Sequence, residues 1–273
     1  MSLPLLVFTL ITLVLTTLSI SLVKDRYFIF KFYKARLTWG VFVLCYFLFL
    51  RTIPRLFYFA SHYSLLTKDH NARSFYLSKI FMLDICPFYH VTSALALCFD
   101  KNMKYSKYWA FVVIFTGLIG VIAVPFTEAA ATLNFKYIFI GSTKYKMYWM
   151  LHFLLFINGL IILKSTKNWN KHDIHWTINL VLIFLIYSLF MSNMLDVNIG
   201  VAGFSQRDWI GEEGEFTAVG KLMGKANIFP LNVVLLWAII ISFVALMNQA
   251  YISFYKLLAL RNNKKKIELK CVE

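Results

Sequence analysis

The sequence predicts an all-α fold, a polytopic membrane helical bundle of about seven transmembrane helices. Three observations predict it. Hydrophobic residues make up 60% of the 273 positions and charged residues only 15%, well outside the averages for a soluble domain. Seven mostly apolar stretches approach the length of about 20 residues that a bilayer-spanning helix needs. Lys and Arg fall between those stretches rather than within most of them.

The first stretch, residues 3–23, carries no charge. No positive residue precedes it and its apolar run exceeds a signal-peptide h-region, so it reads as a retained helix. The second, 38–60, holds Arg51 and Arg55 in its last third, and the third, 74–99, holds Lys79 and Asp84. The fourth, 108–126, contains Gly117 and Gly120, which favour close helix packing, and reaches Pro125 at its end. The fifth, 147–163, carries His152; the sixth, 176–195, carries Asn179, Tyr187, Ser188 and Asn193; the seventh covers 229–255. Residues 1–260 thus read as a single transmembrane helical domain and 261–273 as a basic cytoplasmic tail. The one long connector, 196–228, mixes Gly, acidic and basic residues with Trp209. It suits a lid or headgroup-reading loop, and equally an ordinary solvated loop.

Cys45, Cys86 and Cys98 lie within spans and Cys271 in the tail, so no disulfide framework is expected. With an outside N-terminus and seven spans, 17 of the 28 Lys and Arg fall inside and 11 outside, which orients the chain in the plasma membrane by the positive-inside rule. The densest basic cluster is Arg261, Lys264, Lys265, Lys266 and Lys270. Beside a membrane helix it suits anionic lipid headgroups, with no nucleic acid implied.

No phosphate-cradling glycine loop, metal-type Cys or His spacing, or strong internal repeat is present in the sequence. No cofactor, metal or nucleotide is implied. The chemical signal is therefore polar residues at membrane depth, which need a partner, a wet cavity or a function. In SFYLSKIFMLDICPFYHVTSALALCF, helical periodicity puts Lys79, Cys86, Tyr89, His90 and Ser93 in one arc and Asp84 outside it. Pro87 is expected to bend this helix and free the carbonyl of Leu83. Cys86 and His90 stand one turn apart, a spacing that suits a thiol nucleophile with an imidazole base. A buried Cys also serves as a small apolar residue and a bundle His as a hydrogen-bonding group. Cys98 reads as packing. In KMYWMLHFLLFINGLIIL, His152 shares a face with Tyr148 and Gly159. Tyr145, Tyr148 and Trp149 read as interfacial belt residues, and His152 lies too deep for that role.

DICPFYHV, FTGLIGVIAVPF, MYWMLHFLLFINGLIIL and, more weakly, SNMLDVNIG with ANIFPLNVVLLW follow one another in an order that resembles the YwaF family of bacterial integral membrane proteins. The same order resembles their eukaryotic relatives, the transmembrane protein 164 acyltransferases. The resemblance covers roughly 84–237. It implies transfer of a fatty acyl group between membrane phospholipids. It assigns the His role to His152 and the Cys role most nearly to Cys86, although here the Cys precedes the Pro and His90 stands three residues after it.

The leading expectation is a lipid acyltransferase or lipid-processing enzyme. Cys86 attacks an acyl ester, His152 or His90 moves the proton, and Tyr89 or Asn193, with Tyr148 nearby, contacts substrate and stabilises the oxyanion. The alternative is a non-catalytic transporter component for a small molecule. A vitamin-importer subunit of that kind calls for an Ala-x-x-x-Ala face near the N-terminus, and the first span contains no Ala. A structural or assembly role is a third reading.

Overall fold

In a computed structural model the chain is described at residues 3–66, 68, 70–126, 148–166, 169–170, 172–195, 197, 234–235 and 237–253. Among these residues every regular element is helical. We number the main helices α1 (Leu3–Leu22), α2 (Tyr33–Ser61), α3 (His70–Ile80) and α4 (Ile85–Phe99). They continue as α5 (Ala110–Ala123), α6 (Tyr148–Ser165), α7 (Asp173–Met194) and α8 (Trp237–Ser253). Five stretches are long and apolar enough to cross a membrane: Leu3–Leu22, Tyr33–Ser61, Tyr76–Phe99, Ser106–Ala123 and Asp173–Met194. α6 and α8 are apolar but shorter. The 261–273 tail, and all of the 196–228 connector except Val197, lie outside the described residues.

α5 and α6 form the centre. They run antiparallel in close contact, because Gly117 and Gly159 leave room for the other backbone and Gly120 for the His152 ring. A Cβ on Gly117 would stand 2.5 Å from the backbone nitrogen of Phe156, and one on Gly120 would overlap the His152 ring. Small residues permit this approach where lipid supplies no hydrophobic drive for association. α4 packs beside both, α2 packs on α4, and α1 lies across α5 and α6. On another side Phe184 of α7 and Trp237 of α8 close over Tyr89, Phe111 and Phe115. The outer faces of α1, α2 and α7 remain apolar: Leu3, Val14, Phe49, Phe57, Ile186 and Phe190 are all exposed. An apolar perimeter this extensive suits hydrocarbon rather than water.

The third apolar stretch is interrupted where the sequence suggests a bend. The chain leaves helical geometry at 81–84, with Met82 at φ 55°, before α4 begins with Asp84 as its N-cap residue. Pro87 therefore sits in the first turn of α4, where its missing N–H would have had no intrahelical acceptor. It does not bend a continuous helix; the break precedes it. The freed carbonyls are answered by α7. Ser188 Oγ donates to Leu83 O at 3.0 Å and Tyr187 Oη to Phe81 O at 2.6 Å. The break also leaves Lys79 on α3 and Cys86 on α4, two separate helices. Lys79 instead bridges the gap to Asp84 in a part-buried ion pair.

Polar side chains tie off the helix ends. Lys164, in the last turn of α6, donates to the carbonyls of Ile20, Ser21 and Val23 and so caps α1. Arg36, buried, donates to Phe30 O, Lys31 O and Lys101 O. Lys107 and Asp173 form a part-buried pair at 2.7 Å. Trp149 departs from the interfacial role its position suggests. It is 2% exposed, donates to Thr9 Oγ1 at 2.9 Å and stacks on Phe153.

Candidate functional site

The deepest polar groups gather where α2, α4 and α6 meet. His90 and His152 are both buried, at 0% and 2% exposure. The His90 ring stacks on Phe47 of α2 with centroids 5.0 Å apart. The guanidinium carbon of Arg51 lies over the same Phe47 ring, 5.6 Å from its centroid. His152 and Arg51 both lie within electrostatic range of His90. The His90 ring nitrogens face the carbonyls of Val43 and Leu151 without reaching hydrogen-bond geometry, and neither nitrogen has a partner among the described residues. A buried imidazole with two unsatisfied nitrogens is unusual, because most buried polar groups find a partner.

A second polar chain supports the first. Trp39 Nε1 donates to Asn158 Oδ1 at 2.7 Å, and Asn158 Nδ2 donates to Ser93 Oγ at 3.3 Å. The three residues link α2, α6 and α4 one turn away from His90. Ser93 belongs to the polar arc expected from the sequence. Asn158 and Trp39 lie outside that arc on other helices, although an Asn in the middle of an apolar span is itself a signal of such a residue.

The remaining sequence candidates separate. Cys86 is half-buried on α4, one turn before His90, against the cluster that contains Tyr89 and Phe184. Tyr89 is buried on the side that faces α7, where its hydroxyl donates to Leu180 O at 3.0 Å. Asn193 is exposed near the end of α7, and its amide donates to Leu189 O of its own helix at 2.8 Å. The side chain of Tyr148, at the start of α6, lies outside the described residues. Cys98 is buried, in contact distance of Leu37 O at 3.9 Å, which agrees with a packing role. The structure therefore brings His90 and His152 together with Arg51 and Phe47, leaves Cys86 one turn before His90 on α4, and sets Tyr89 and Asn193 elsewhere.

Among the described residues no three His, Cys, Asp or Glu side chains converge as metal ligands. A cavity of about 670 Å³ lies between the C-terminal ends of α1 and α6, lined in part by Phe28, Lys31, Leu163 and Lys164. Lys164 is about 18 Å along α6 from His152 at 1.5 Å per residue. The cavity is thus separate from the histidine site, and its central ammonium is already committed to the end of α1.

The sequence matches a family described as "Family of unknown function (DUF5378)" over residues 6–272. It is 28% identical over 188 residues to an uncharacterized protein of Mycoplasma genitalium, MG135, a match covering 66% of this chain and 64% of that one. To the MG135 homolog of Mycoplasma pneumoniae it is 26% identical over 184 residues, covering 63% of this chain and 62% of that one. The chain therefore spans somewhat under two thirds of the length of these relatives. No solved structure matches.

Proposed function

We propose that this chain, which belongs to the DUF5378 family, is a seven-span plasma-membrane protein that processes phospholipid by acyl transfer at the His90 and His152 site. The five long apolar helices together with α6 and α8 support the span count. The 17 to 11 distribution of Lys and Arg supports an outside N-terminus and a cytoplasmic tail on anionic headgroups. The acyl-transfer reading rests on the residues that resemble the YwaF proteins and on one observation of geometry. His90 is fully buried, one helical turn from the thiol of Cys86, and neither of its ring nitrogens has a hydrogen-bond partner among the described residues, so its unprotonated nitrogen is available to take a proton.

In this reading Cys86 Sγ gives its proton to an imidazole and attacks the ester carbonyl of a phospholipid. A carbon–sulfur bond forms as the ester carbon–oxygen bond breaks, and the imidazole returns the proton to the departing glycerol oxygen. The thioester then passes its acyl group to a second lipid hydroxyl, which regenerates the thiol. His152, beside His90, positions that ring or shares the proton.

The test is a purified sample in nanodiscs given phospholipid with a labelled acyl chain. The expected result is an adduct on Cys86 by intact mass, lost in Cys86→Ser and formed about 100-fold more slowly in His152→Ala. Unchanged lipid turnover in both variants would remove the acyl-transfer reading.

A further inference from the structure

Two arginines inside α2 are buried instead of reaching for the interface. Arg51 is 5% exposed and Arg55 7%, although a guanidinium at membrane depth is costly and long side chains near a helix end ordinarily extend to water. The backbone explains their inward aim. Pro54 has no N–H to give to Leu50 O and crowds that carbonyl, so the helix widens into a π turn at Leu48–Thr52, closed by Ile53 N donating to Leu48 O. Single π turns recur at functional sites because they redirect side chains.

The surroundings of these arginines are rich in donors. Arg51 reaches the His90 site through Phe47. Arg55 lies within electrostatic range of Tyr76 on α3, whose ring stacks on Tyr58 at 5.0 Å. Arg73 stands one turn before Tyr76 on the same helix. Next to Arg51 and Arg73 in sequence, the hydroxyls of Thr52 and Ser74 are buried with no hydrogen-bond partner among the described residues, as are both nitrogens of His90. The three arginines make contacts within the protein. A guanidinium offers five N–H donors in a planar fork, however, so an internal contact leaves others to share.

We propose that Arg51 and Arg55, with Arg73, bind a phosphate group, and that the group belongs to an anionic lipid drawn into the bundle beside His90. Guanidinium forks, hydroxyls and an imidazole contributed by three helices, α2, α3 and α4, suit an anion with several acceptor oxygens. The location beside His90 rests on the lipid-processing reading. The affinity for phosphate does not, since it needs neither Cys86 nor a reaction.

The experiment uses the full chain in neutral detergent and follows tryptophan fluorescence with three probes: dihexanoyl phosphatidic acid, uncharged dihexanoylglycerol and inorganic phosphate. Phosphatidic acid should bind at least about 10-fold more tightly than either of the others. Arg51→Gln and Arg55→Gln should each weaken it about 10-fold or more while leaving dihexanoylglycerol unchanged, and Arg51→Lys should retain part of the affinity. Equal binding of phosphatidic acid and dihexanoylglycerol by the unmodified protein overturns the proposal, and that arm needs no variant to fold. Inorganic phosphate binding as tightly as phosphatidic acid overturns the lipid source. The two readings fail separately: phosphatidic acid affinity in an unmodified protein that never forms an adduct removes acyl transfer and supports the anion site, whereas loss of that affinity in Cys86→Ser, which keeps all three arginines, overturns the anion site.

Discussion

At position 120 a single hydrogen atom decides whether His152 can sit where it does. A methyl group there would occupy the space of the imidazole, and the ring is held between two close-packed helices with little freedom to withdraw. Gly120→Ala is expected to destabilise the protein by about 1–3 kcal/mol through overpacking, read as a lowered melting temperature in detergent. It should also slow any His152-dependent reaction, because the ring must shift. Asp100 carries a different kind of constraint. Burial, the largest single influence, raises its pKa, but the N–H groups of Ser106, Tyr105 and Lys104 and the Ser106 hydroxyl together hold it below the usual carboxylate value. A pKa lowered on folding contributes stability above the unfolded value that is lost as pH falls through the folded one. Asp100→Asn should therefore melt below the unmodified protein at pH 7, by an effect that solvent screening holds to about 1 kcal/mol or less. The gap between the two should narrow as the pH is taken down through about 4 and below.

At the scale of elements, the interrupted third span is held by its neighbour. The Leu83 carbonyl has left its own helix, and Ser188 of α7, fully buried, supplies its donor. Ser188→Ala leaves that carbonyl unsatisfied in an apolar setting and is expected to cost about 1–3 kcal/mol, measurable as faster hydrogen exchange at the start of α4. Lys164 plays the matching part for α1. Its ammonium gathers carbonyls that the helix end leaves open, which ties the first helix to α6. The π turn in α2 is a local consequence of Pro54, and its effect is non-local: it aims Arg51 toward Phe47 and the His90 site.

At the scale of the whole molecule, the prediction is topological. In intact cells an impermeant maleimide should label Lys68→Cys and spare Lys265→Cys in a background without the native cysteines. Labelling of the tail position would reverse the orientation. The same experiment with probes on either side of α6 and α8 checks the count of seven, because a helix that fails to cross would place both of its flanks on one side.

Composition and charge spacing already determined that this chain is helical and apolar enough for a membrane, since every backbone group in hydrocarbon must be satisfied locally and a run of about 20 apolar residues does so as a helix. They also marked Lys79, Asp84, Cys86, His90, His152 and Ser93 as residues that apolar surroundings do not explain. Periodicity on one helix could not say which of them meet. It assumed an unbroken helix through 81–84, whereas the break leaves Lys79 on α3, paired with Asp84. Tyr89 and His90, neighbours on α4, turned toward α7 and α2 respectively because different partners stand on each side. Phe47, Asn158 and Trp39 entered the site only through packing between helices far apart in sequence. The physical reason is that a helix pattern reports which face is polar, while the partner of that face is chosen by the three-dimensional fit of other helices, to which spacing within one segment carries no information.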